Sequence, residues 1–97
     1  ALAKLRCDIE CRLLQRNIDA VVGELRVRYI HMTADANNLF CTRPIGRMSW
    51  VGHIQQYANK QANLRDLIAR ANAISCPYNP DADKLVNLPP PTCPAGS

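Results

Sequence analysis

The segment from Arg43 to Gln61, RPIGRMSWVGHIQQYANKQ, gathers one of the two histidines of the chain, two arginines, two glycines and its single tryptophan at what reads as a helix entrance. The start of a helix leaves unpaired N–H groups and a partial positive charge, so it receives anions readily. Ser49 is placed to cap this helix, Gly52 leaves its first turn uncovered, and Arg43 and Arg47 approach from the preceding loop. Along the helix His53, Gln56, Lys60 and Asn63 fall at i, i+3, i+7 and i+10, a polar strip beside an apolar one. The chemistry this constellation could do is metal-independent cleavage of a phosphodiester. His53 would act as general acid or base, Arg47 and Lys60 would stabilise the phosphorane, and Arg43, Ser49, Gly52 and Gln56 would help hold the substrate.

His31 lies at the expected end of the preceding helix, where a cation favours the terminal carbonyls. It also stands where an antiparallel partner would bring His53, and two facing histidines make a better acid and base pair than one. The plainer reading is that His53 is a packing or surface residue and that Trp50 and Tyr57 anchor a core. No metal site is expected. The acids of DADK, residues 81–84, lack the glycine and final glutamate of a calcium loop and suit the first turn of a short helix instead.

The elements that must position these groups are helices. Cys7, Cys11, Leu14, Ile18, Val21, Leu25 and Met32 recur at spacings of four, three, four, three, four and seven, and Trp50, Ile54, Tyr57, Gln61, Leu64, Ile68 and Ala71 repeat the pattern. The expectation is an all-α fold in a single domain spanning 1–97. It consists of a helix over 1–32, a loop over 33–48, a second helix over 49–76 and a proline-rich tail over 77–97. The two helices pair as a long antiparallel hairpin and the tail packs back on it. Asn79 and Pro80 start a short tail helix, and neither long segment carries the alternating pattern of a strand.

Antiparallel pairing brings Cys7 and Cys11 to the same end as Cys76, where Cys93 can return, and leaves Cys41 at the other end. Three readings stay open: disulfides joining the first pair to the second, a four-thiolate zinc site, and thiols packed as small core residues. Disulfides would fit a chain of 97 residues, which buries only a modest core, and would imply an oxidising compartment.

Composition sets looser bounds. Residues 1–76 hold eleven Lys/Arg against six Asp/Glu, a balance of +5, which suits an anionic partner such as RNA or phospholipid headgroups. No run is long and apolar enough to span a membrane. The chain opens inside a helical pattern, at ALAKLRCDIECRLL, which suggests a piece of a longer protein.

GRMSWVGHIQQYANKQANLRDLI followed by CPYNPDADKLVNLPPP resembles the C-terminal toxin regions of bacterial polymorphic toxins. These are the variable tips of Rhs-repeat or PAAR carriers delivered by type VI secretion. The likeness lies in layout and covers nearly the whole chain. It implies release from a carrier into a target bacterial cell and a cognate immunity protein. It supplies no catalytic motif, and the chain lacks the paired His and acid pattern of His-Asn-His nucleases and any glycine-rich phosphate loop. Two classes of function follow: a toxic enzyme acting on a phosphodiester without cofactor, or a non-enzymatic helical module that binds a membrane surface or a protein partner. An antitoxin or chaperone fits less well, since those are more often acidic.

Overall fold

A computed structural model describes residues 2–37 and 50–92, with side chains from residue 7 onward apart from 35 and 37. It holds three helices, α1 (Leu2–Asn37), α2 (Trp50–Ala73) and α3 (Asp81–Val86), and no strand among the described residues. Helices α1 and α2 form the antiparallel hairpin that the periodicity predicts, and α3 lies against both. The molecule is long and thin, 60 × 22 × 15 Å, because α1 with 36 residues runs roughly 54 Å at 1.5 Å per residue.

The core is the seam between the helices. Leu14, Ile18, Val21, Val22, Leu25 and Met32 from α1 meet Tyr57, Leu64, Leu67 and Ala71 from α2, and Ala82, Leu85 and Val86 of α3 close one side. Helix α1 outruns its expected end at residue 32 by five residues. The stretch Thr33 to Asn37 includes two alanines, which favour a helix, and burying Ala36 rewards the added turn.

The end of α2 is built to reach α1. Ser75 takes a left-handed conformation, φ 54°. The N–H of Cys76 then bonds Ala71 O at 2.8 Å and that of Ser75 bonds Asn72 O at 3.1 Å, the paired bonds of a Schellman turn. This turn aims Cys76 back at α1, where it forms a disulfide with Cys11 across a Cα–Cα distance of 5.4 Å. Of the three cysteine readings the disulfide staple is the one found, for this pair. Cys93 lies outside the described residues. Cys7, expected on the buried stripe, is a free thiol and exposed, because α2 ends opposite Cys11 and nothing described lies opposite the turn before it.

The tail is held through its carbonyls. Gln15 donates to Pro77 O at 2.7 Å, and Asn79 Oδ1 accepts the N–H of Asp81, so Asn79 caps α3 as expected. At and just past the far end of α3, backbone carbonyls accept from side chains of α2. Gln61 donates to Leu85 O and Leu88 O, and Tyr57 donates to Leu88 O at 2.9 Å. Arg26 pairs with Asp81, and Tyr78 donates to Asp83, so both tail acids serve the structure.

Because the bond closes a separation of 65 residues, the loop-entropy model assigns it about 4 kcal/mol. Reduction, or Cys11→Ser with Cys76→Ser, should lower Tm by roughly 15 °C or more, read by circular dichroism. An unchanged melt would refute the staple.

Burial pushes the Tyr57 hydroxyl above its ordinary value, and the nearby Tyr29 adds to this. Below pH about 10 the hydroxyl is protonated in both states and its contribution to stability is complete; above that the unfolded chain ionises first and stability falls. Melting between about pH 8 and about pH 11.5 should show a shallower alkaline loss in Tyr57→Phe than in the parent, and equal slopes would contradict this.

Candidate functional site

Helix α2 carries two overlapping stripes that share Tyr57, Leu64 and Ala71. One continues through Trp50, Ile54 and Ile68, which are half-buried; the other runs through His53, Lys60 and Leu67. The second faces α1, so the polar strip expected along His53, Gln56, Lys60 and Asn63 is split. His53 turns into the core at 7% exposure, Lys60 leans against α1, and Gln56 and Asn63 stay in solvent.

The group that meets His53 is Arg28. In the α1 seam the apolar repeat leaves one position vacant, and this arginine fills it, one turn after Leu25 and one before Met32. Its Nη1 lies 3.3 Å from His53 Nδ1. A guanidinium can only donate, so Nδ1 accepts and the ring proton belongs on Nε2. The Trp50 ring meets the imidazole edge-on with centroids 6.1 Å apart. His53 is thus part of a polar layer inside the hairpin seam. Such a layer fixes the register of paired helices, since a slip would leave its groups against apolar neighbours.

The other groups sit on the surface beside this layer. A groove of about 530 Å³ is lined by Ala20, Gly23, Glu24, Val27, Arg28 and His31 of α1 together with Lys60 of α2. Lys60 Nζ is held by Glu24 Oε2 at 2.7 Å. His31 is exposed in this groove, and because α1 continues to Asn37 it lies inside the helix and not at its terminal carbonyls. Gly52 is half-buried in the first turn of α2. Arg43, Arg47 and Ser49 lie outside the described residues.

The structure therefore brings Arg28, His31 and Lys60 to one groove and takes His53 out of solvent behind Arg28. With Glu24 present the groove carries a net charge near +1 when His31 is neutral, enough to attract a carboxylate or phosphate. Among the described residues no group of three His, Cys, Asp or Glu side chains could hold a metal ion. Arg28 is the residue that the apolar stripe passes over, and the signal for it is the seven-residue step from Leu25 to Met32, where one seam position is missing.

Compared with protein-family models, curated proteins and solved structures, the chain matches none.

Removing either member of the polar layer takes from the other the 3.3 Å contact across the seam. Arg28→Leu and His53→Leu should each cost about 1–3 kcal/mol, and the double change should recover a good part of the loss. His31→Ala should stay within about 0.5 kcal/mol. Urea midpoints measure all four, and additive losses in the double variant would contradict the pairing.

Proposed function

We propose that this chain is an effector-type toxin domain that acts by docking a protein partner on the outer face of α1. One observation carries this reading. Ile9, Leu13, Val27 and Ile30 of α1 are 52%, 51%, 54% and 64% exposed, although each is large and apolar. They are not scattered. Leu13, Ala20 and Val27 recur every seven residues, and Ile9, Arg16, Gly23 and Ile30 form the matching second row, apolar but for Arg16. This is a second a/d seam turned away from the core, which uses Cys11, Leu14, Ile18, Val21 and Leu25. Large apolar side chains exposed in register along one helix face mark an interaction site.

The flanks of the seam favour a protein over a membrane. Helices that lie on anionic lipid carry a polar face rich in Lys and Arg. Here both signs alternate, with Glu10, Asp19 and Glu24 among Arg12 and Arg26. Delivery by a carrier and neutralisation by an immunity protein belong to this proposal through the likeness in layout to polymorphic toxin tips.

The groove with Arg28, His31 and Lys60 favours a second reading, an enzyme or binder acting on a phosphodiester. Toxicity on expression in bacteria separates the two. Leu13→Asp with Ile30→Asp should abolish growth inhibition while leaving helix content intact, and His31→Ala with Lys60→Ala should leave it within about twofold. The opposite pattern would move the function to the groove.

A further inference from the structure

We infer that the outer face of α1 pairs with the same face of a second copy, antiparallel, around an axis between Ala20 and Gly23. The inference rests on the docking reading above and names its partner. The seam is open among the described residues: the molecule is only a helix pair thick, and a Cβ built on Gly23 meets nothing within 4 Å.

Antiparallel pairing of two a/d seams stacks each a position on a d position of the other helix. Applied here, Leu13 meets Ile30 of the second copy, Val27 covers the stem of its Arg16, and Ala20 meets its Gly23. The twofold axis repeats each layer, so large apolar pairs close both ends and the smallest residues meet at the centre, where the two backbones approach most closely. A twofold interface requires a patch that is complementary to itself, and this one is.

Charge gives an independent check, because the same register also fixes the flanking pairs. On one side Asp19 faces Arg26 of the second copy and Arg12 faces Thr33; on the other Glu10 faces His31 and Asn17 faces Glu24. None of these four flanking pairs joins like charges. A parallel pairing would instead set Asp19 beside Glu24, which disfavours it. Arg26 is more than half exposed while pairing with Asp81, so it can reach a second carboxylate.

The test uses the oxidised full chain in sedimentation velocity at micromolar concentrations. A species of twice 10.8 kDa is expected. Gly23→Leu should keep the monomer folded, since its side chain enters open space, and should weaken association at least tenfold by forcing the helices apart. Asp19→Arg should weaken it similarly through repulsion from Arg26. A monomer at about 100 micromolar, or a dimer that tolerates both changes, would overturn the proposal. If the parent is monomeric but Leu13→Asp with Ile30→Asp still abolishes toxicity, the docking face stands and its occupant is another protein. If the dimer forms and that double change leaves toxicity intact, the docking function falls and the dimer stands.

Discussion

The Cys11–Cys76 bond closes the free end of a structure that is one helix pair thick. A pair of helices buries one stripe each, and a chain this small gains little beyond the entropy it loses. The bond removes part of that entropy from the unfolded chain, and the Schellman turn at Ser75 sets the approach of Cys76, so that the seam between the helices starts in register. From there the polar layer of Arg28 and His53 holds the register further along, and the tail is laid over the remaining open side by Gln15, Tyr57 and Gln61. Each of these contacts presupposes the alignment that the bond and turn establish.

That arrangement leaves α1 with two opposed apolar faces, one spent on the hairpin and one on nothing described. A thin hairpin gives the second face a straight, stiff backing along most of its length. Exposed large side chains at seven-residue spacing are costly to keep unless they are used, and the mixed charges beside them limit which surface can use them. Part of the basic excess of the body is met from the tail, by Asp81 on Arg26. What remains is better suited to selecting a pairing than to gripping a polyanion.

Much of the fold is legible in the sequence, and the site is less so. The two long periodic segments, the cap at Asn79 and the meeting of Cys11 with Cys76 all follow from spacing, because each depends on local repeats or on chain reversal alone. The facing of α2 does not, since Tyr57, Leu64 and Ala71 belong to two stripes at once and only the partner helix decides between them. Gln61 illustrates this: it sits in the apolar pattern yet donates to Leu85 O of α3 and to Leu88 O just beyond it. Spacing misplaces His53 for the same reason, and it hides the partner Arg28 because a charged residue inside a seam breaks the pattern that reveals the seam. Cys7 continues the stripe past the point where α2 ends, which periodicity alone cannot show.

That α1 pairs along its outer face with a second copy is tested most directly by small-angle scattering against concentration. Side-by-side pairing through that face predicts that the scattering mass doubles while the longest dimension stays close to the 60 Å of the single copy. A longest dimension that grows toward twice that value, or a mass that never rises, would contradict it.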